Sequence, residues 1–387
     1  MDISIYFSPV SSLSQDYYQE QIGGLVTCYQ PESSFPDWES ADLVLLGVKE
    51  ERGSVNNAGC GAGADVIRES LYNLFFEGLP NTVDLGNILP GETLEDTYFA
   101  VQSCVDALVK KNKTVVILGG SQDLTIAMYR GYEGTEQLVN IATIDHQFDI
   151  GDSSDLPIDS TTYLSQILLH QPSFLFNYAN IGYQTYFSPP NIIGLMDKLF
   201  FDKVRLGVVR TNIRETEPIL RNSDVLSFDV AAIQSADMVG CNRSTPNGLL
   251  PDEACQITRY AGLSEKISCF GVFEYNPRLD SNKKSSMLVA QMIWYFMEGV
   301  ANRKKETPTP NDENFLKYRV PVTGAEEDLI FYKSLRTDRW WVLVPYPDAK
   351  SNRYRRLNMV PCSYQDYLIA GQDELPDLWV KTYRKFL

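Results

Sequence analysis

Histidine is nearly absent: the 387 residues hold 2, His146 and His170. Imidazole is the usual transition-metal ligand and the usual base near neutral pH, so a site built on several histidines is excluded. Paired cysteines are absent as well. The 7 cysteines (Cys28, Cys60, Cys104, Cys241, Cys255, Cys269 and Cys362) are odd in number and scattered, with no Cys-x-x-Cys. That pattern excludes a zinc ribbon and a thioredoxin-type motif, and buried reduced thiols in a cytoplasmic protein are expected. Long apolar runs are also missing. The most apolar helical stretch, Met287 to Met297, is broken by Gln291 and is too short to span a bilayer, so no membrane insertion is expected. MDISIYFSPV at the start has no basic stretch followed by an apolar run, so no signal peptide is expected. Basic charge is in deficit, with Lys+Arg 34 against Asp+Glu 50, a net charge of -16. Such a chain repels nucleic acid and anionic membrane, and neither is expected as a partner.

What is present is an ordinary globular balance, 44% hydrophobic and 22% charged. Apolar, β-rich runs at Leu43–Val48, Thr114–Leu118, Ile141–Ile144, Val204–Val209, Val225–Val230 and Ile267–Phe273 predict strands. Helical spacing predicts helices over Ala64–Leu74, Thr97–Val109, Pro251–Ala261 and Ser286–Val300. Fully apolar strands alternating with helices imply a parallel sheet covered on both faces, an α/β domain of three layers over residues 1–305.

Asn302–Asn314 is polar, carries two prolines and has no apolar period, so it reads as a linker or exposed loop. Residues 306–387 read as a small C-terminal extension rich in aromatic and basic residues. From residue 301 onward the net charge is +3, against -19 for the preceding 300. The extension holds a predicted strand, Arg339–Pro347, and a basic turn, Lys350–Arg356. Trp340 and Trp341 occupy adjacent strand positions and must face opposite sides. One is expected to bury against the core and the other in a neighbouring layer or on a partner surface. Two uses of the extension stay open: packing on the acidic core, or docking of a protein partner. Nothing in the sequence sets the oligomeric state.

In open parallel sheets, ligands sit beyond the carboxyl ends of the strands. The residues there are Gly119-Gly120-Ser121-Gln122-Asp123, then Asp145-His146-Gln147-Phe148-Asp149, then Ser227-Phe228-Asp229-Val230-Ala231, then Glu274-Tyr275-Asn276-Pro277. They deliver Asp145, Asp149, Asp229 and Glu274 to one edge. Buried carboxylates brought together require a compensating cation or protons, and a hard divalent cation is a natural partner.

In this order the four motifs resemble those of the arginase or ureohydrolase family: Gly-Gly-Asp-His-Ser, Asp-Ala-His-x-Asp, Ser-x-Asp-x-Asp and Glu-x-Asn-Pro. Upstream, Gly47 to Gly53, Asn56-Asn57 and Gly59 to Arg68 look like the family's early loop and first helix. That loop and Gly182-Tyr183-Gln184-Thr185-Tyr186 resemble the formimidoylglutamase branch. The resemblance covers roughly residues 40–300 and implies an arginase-like fold. In that family two manganese ions hold a bridging hydroxide, which makes a nucleophile at neutral pH and polarises a guanidine-like carbon.

Carried over by position, the resemblance implies that Asp145, Asp149 and Asp229 are kept as metal-ligand carboxylates and Glu274 as the substrate-facing carboxylate. Gln122 and Gln147 stand where the family has metal-binding histidines, and Ala231 where it has a second aspartate. One half-site keeps Asp145, Asp149, Asp229 and the amide oxygen of Gln122; the other keeps two shared carboxylates and Gln147. No dinuclear manganese cluster is expected, and at most one divalent cation (Mg, Ca or Mn) at the first half-site. His146 is either a replacement ligand or a structural histidine; His170 reads as a cation at a helix C-terminus. Asp123 could reach the site in place of the aspartate replaced by Ser121. Three functions remain in play. One is a binding or assembly protein that has lost efficient hydrolysis. Another is an active metal-dependent hydrolase of formimidoylglutamate or a related amidine, with a rewired site. The third is a sensor that binds a small amidine or amino acid without chemistry.

Overall fold

Alternation within the apolar strands decides the layering. In β3 (Leu43–Val48), Leu43 and Leu45 join one apolar cluster while Val44, Leu46 and Val48 join another. In β5 (Thr114–Leu118), Val116 and Leu118 face the first cluster and Val115 and Ile117 the second. A strand whose two faces are both buried must be apolar at every position, which is why these runs do not alternate with polar residues. Helices Gly63–Leu71, Pro251–Gly262 and Lys284–Ala301 cover the first face through Ile67, Leu71, Ile257, Val289 and Ile293. Helix Leu94–Lys110 covers the second through Tyr98, Val101, Val105 and Leu108. Its start is fixed by a capping box between Thr93 and Asp96.

The computed structural model describes all residues except Met1, Ser12, Ser14, Gln15, Glu136, 152–156, Pro310, Asn311, Glu326 and 348–353. Short strands β1 (Phe7–Ser8) and β2 (Thr27–Cys28) precede β3; then come β4 (Thr82–Ile88), β5, β6 (Val139–Ile144), β7 (Leu175–Tyr183), β8 (Asp202–Arg205), β9 (Val225–Asp229) and β10 (Cys269–Phe273). The sheet runs β1-β4-β3-β5-β10-β9-β6-β7-β8, with β2 also on β4. Every pairing is parallel except β1 with β4. The α/β expectation and its parallel sheet are therefore observed. Of the longer strands in this sheet, β4 and β7 escaped the sequence reading because polar Asp84, Asn87, Asn177 and Asn180 interrupt them, and β1 and β2, of two residues each, are too short to show a pattern. The predicted strand Val204–Val209 is instead the end of β8 followed by a helix, Leu206–Thr211. A short apolar run fits either period, and Leu206 and Val209 share one helical face.

Asp84 is buried in β4 because Arg68, itself without solvent contact, grips it through Nε at 2.7 Å and Nη2 at 2.9 Å. Arg68 also donates to Asn87 Oδ1 and the Gly86 carbonyl. A buried ion pair survives only with its remaining hydrogen-bonding capacity met in this way.

Beyond Ala301 the chain is not a free tether. Arg303 donates to the carbonyls of Gly262 and Ile267 and to Thr114 Oγ1. An antiparallel sheet follows, β11 (Phe315–Val320), β12 (Leu329–Ser334), β13 (Trp340–Leu343) and β14 (Met359–Cys362), in that order. Helices Tyr364–Gly371 and Asp377–Phe386 close the chain. Trp341 faces the α/β core, its ring 4.3 Å from the Arg221 guanidinium carbon. Trp340 turns the other way, against Tyr318, Tyr364 and Tyr367 of the extension. Of the basic turn, Lys350 to Arg353 lie outside the described residues, and Arg356 is engaged by Asp224 of the core rather than left free.

Candidate functional site: a buried carboxylate cluster at the sheet edge

The loops after β5, β6, β9 and β10 meet because those strands are neighbours in the order β5-β10-β9-β6. Gly120 permits the closest approach. A Cβ there would lie 1.7 Å from the Glu50 carbonyl oxygen, so only glycine lets the loop after β5 lie against the loop after β3.

Gln122, Asp145, Asp149 and Asp229 come together at this edge, all essentially without solvent contact. The Gln122 amide end lies 3.2 Å from Asp145 Oδ2, 3.2 Å from Asp149 Oδ2 and 3.1 Å from Asp229 Oδ2. With its NH2 turned inward the amide donates toward these oxygens; its own oxygen in that place would face acceptors alone. Among the described residues, no three His, Cys, Asp or Glu side chains are disposed to grip one metal ion.

The other half of the site is differently furnished. Gln147 donates through Nε2 to Asp149 Oδ1 at 2.8 Å. Ala231 presents only a buried methyl, and its backbone N–H donates to Asp229 Oδ1 at 2.7 Å. Arg243, on the loop that follows β9, brings Nη1 to 3.8 Å from Asp229 Oδ2, and its side chain is 11% exposed. The same Nη1 donates to Ser160 Oγ at 3.3 Å. Ser160 is fixed in turn by its N–H on the Gly53 carbonyl and by the Val55 N–H on its hydroxyl.

Glu274 lies beside the cluster, clamped by donors. Ser54 Oγ and Asn57 Nδ2 donate to Oε2 at 2.7 and 2.9 Å, and the Gln122 N–H donates to Oε1 at 3.1 Å. Its backbone sits at φ +67°, a left-handed conformation that a non-glycine residue holds only where its surroundings enforce it. Burial raises its carboxyl above the usual range, against the opposing effect of Asn57 and Ser54.

The electrostatics follow from burial and crowding. Burial opposes ionisation of Asp145, yet His146 holds its carboxyl below the ordinary value, with Nδ1 3.0 Å from Oδ1. Burial, then the charge of Asp145, drives Asp149 and Asp229 well above it. Burial works against the charge of Arg243, and the aspartates and Glu274 outweigh it, raising its pKa. His146 packs edge-on against Phe187 and supports Asp145 from outside the cluster. His170 follows helix Tyr163–Leu169, between Tyr129 and Phe174 and 3.7 Å from Glu133. Asp123 does not take the place of a cluster aspartate; it accepts a hydrogen bond from Tyr98, and burial pushes its carboxyl up to about 6.

Sequence reading placed the aspartates, Gln122 and Glu274 but missed Ser54, Ser160 and Arg243. Charge accounting could have found Arg243: an acidic cluster short of imidazole and metal ligands calls for a basic side chain nearby.

Comparison with known proteins agrees with this architecture. The sequence profile described as Arginase family matches residues 41–298. A formimidoylglutamase of Staphylococcus haemolyticus (strain JCSC1435) is 25% identical over 276 residues, 65% of this chain and 85% of the relative. One from Cupriavidus pinatubonensis is 25% identical over 290 residues, 68% of this chain and 89% of the relative. Among solved structures, Trypanosoma cruzi formiminoglutamase with Mn2+ superposes with a TM-score of 0.65 at 22% identity, covering 73% of this chain and 99% of that one. Bacillus subtilis formimidoylglutamase superposes with a TM-score of 0.66 at 16% identity, covering 75% and 95%. A profile matched across more than half of the chain, on a shared fold, makes this protein a member of the arginase family, akin to its formimidoylglutamase branch.

Proposed function

We propose that this arginase-family protein has lost efficient hydrolysis and serves as a binding or assembly protein. The second half of the carboxylate site carries the reading. A dinuclear cluster requires ligands where this chain has the Ala231 methyl and the Gln147 amide, whose N–H donates to Asp149. A guanidinium beside Asp229 also repels a divalent cation close to it. These residues do not fit two metal ions. A single hard cation would need Gln122 to turn its amide oxygen inward and Asp145, Asp149 and Asp229 to draw together around it, since as placed they do not grip one ion. Without the pair of metals, water is a poor nucleophile at neutral pH, and turnover falls by orders of magnitude.

Binding needs less than catalysis. Glu274 keeps a carboxylate of the kind that suits an amidine or other cationic group, but it is fully buried and already holds three donors, so a ligand must open the site to reach it. A groove of about 990 Å3 between the core and the extension offers a second surface, with Arg214, Arg339, Tyr318, Trp340 and Tyr364 among its walls. The intact Glu274 clamp also favours the second reading, an active amidine hydrolase with a rewired site. The deciding experiment is metal analysis of the purified chain together with assays for formamide, urea or ammonia release from formimidoylglutamate and guanidine substrates. Near-stoichiometric manganese with turnover overturns the proposal. Absence of turnover with and without added manganese supports it.

A further inference from the structure

Asp145, Asp149, Asp229 and Glu274 gather their side chains, with almost no solvent contact, at one sheet edge. Such a group is stable only beside positive charge or with protons bound. Arg243 supplies a guanidinium beside it, 3.8 Å from Asp229 Oδ2. The loop that carries it is held to the early loop at several points. Asn242 N–H donates to Asn57 Oδ1 and Asn242 Nδ2 to the Asn56 carbonyl, while Arg243 donates to Ser160, which is itself bonded to Gly53 and Val55 of the early loop. Asn57 also clamps Glu274. The cation is therefore placed by the same scaffold that places the carboxylate, not by a mobile surface arm.

We infer that Arg243 is a built-in cation that replaces a metal in balancing the carboxylate cluster and that keeps a second divalent ion out. This rests on the reading that no dinuclear cluster forms, and deepens it: the site has exchanged an exchangeable metal for a permanent charge. The chain should then fold and persist in a chelator. Gln122 completes the arrangement as a neutral donor, so the cluster's hydrogen bonds also come from the chain itself.

The test is thermal melting of the full-length chain in EDTA and in manganese chloride, with metal stoichiometry by mass spectrometry. The parent is expected to melt at the same temperature in both. Arg243→Met should melt several degrees lower in EDTA and recover in part with manganese. Arg243→Met combined with Asp229→Asn should recover in EDTA, since the amide cannot ionise and so needs no cation beside it. Arg243→Lys, which keeps the charge, should lose less than Arg243→Met. If Arg243→Met melts with the parent in EDTA, or the double variant does no better than the single one, the inference is overturned. Should Arg243→Met fail to fold, the lysine and double variants decide: both folding supports the charge argument, and both failing overturns it. Two manganese ions per parent chain would instead overturn the underlying reading, a result separable from any melting difference among variants.

Discussion

Asn57 holds Glu274 at two points, its Nδ2 donating to the backbone oxygen at 2.8 Å and to Oε2 at 2.9 Å. The first bond fixes a left-handed backbone and the second aims the carboxylate, so one side chain enforces both strain and direction. Asn57→Ala should leave buried oxygens short of donors and destabilise the chain by about 1–3 kcal/mol. Chemical denaturation of parent and variant measures this; an unchanged midpoint would mean that the clamp contributes nothing to stability.

Gly120→Ala should destabilise the chain by ~1–3 kcal/mol or more, because its Cβ would meet the Glu50 carbonyl at 1.7 Å. The obstacle is backbone, which cannot move aside as a side-chain tip can. Melting temperature and soluble yield check it. Gly194→Ala, inside helix Pro190–Lys198 with nothing within 4 Å of the added methyl, is the control and should be at least as stable as the parent.

Arg68→Met breaks a buried ion pair while leaving Asp84 in place. The expected cost is about 3–5 kcal/mol, mostly from the uncompensated carboxylate. Arg68→Met combined with Asp84→Asn should recover part of that loss. A double variant no more stable than Arg68→Met would place the cost in lost packing rather than in charge.

Restoring Gln122→His, Gln147→His and Ala231→Asp together should raise manganese affinity, because two imidazoles and a carboxylate return to the site. With Arg243 in place the triple variant should take up one ion, and a second only when Arg243→Met is added. Titration calorimetry reads both affinity and stoichiometry. A triple variant that binds manganese no better than the parent would show that the motif register is wrong.

Truncation after Asn302 removes no residue of the carboxylate cluster, yet should reduce stability and solubility. Arg221 would lose the Trp340 and Cys362 carbonyls and the Trp341 ring, and Asp224 would lose Arg356. Phe176 would lose its contact with Phe386. Light scattering and melting of residues 1–302 test this; a monodisperse fragment as stable as the whole chain would refute the packing role.

The sequence by itself determined the layered α/β core and the acidic edge. Apolar runs such as TVVIL, buried on both faces, have few folded alternatives, and strands in a parallel sheet point their following loops the same way. Asp145, Asp149, Asp229 and Glu274 were therefore legible from their places after strands, and Gln122, Gln147 and Ala231 from what they replace. Less was legible where periodicity is ambiguous, as at Val204–Val209, or where polar residues interrupt a strand, as Asp84 does in β4. Only the tertiary structure could decide what accompanies the carboxylates. Arg243 is remote in sequence from Asp145 and Asp149, and Ser54 stands 220 positions from Glu274, so no local spacing announces their meeting. Tertiary packing also decided the use of the extension's charges, spending Arg356 on Asp224 and turning Trp341 toward Arg221. Burial is the physical reason for both: a charge taken from water must find its counter-charge in three dimensions, wherever along the chain that counter-charge is encoded.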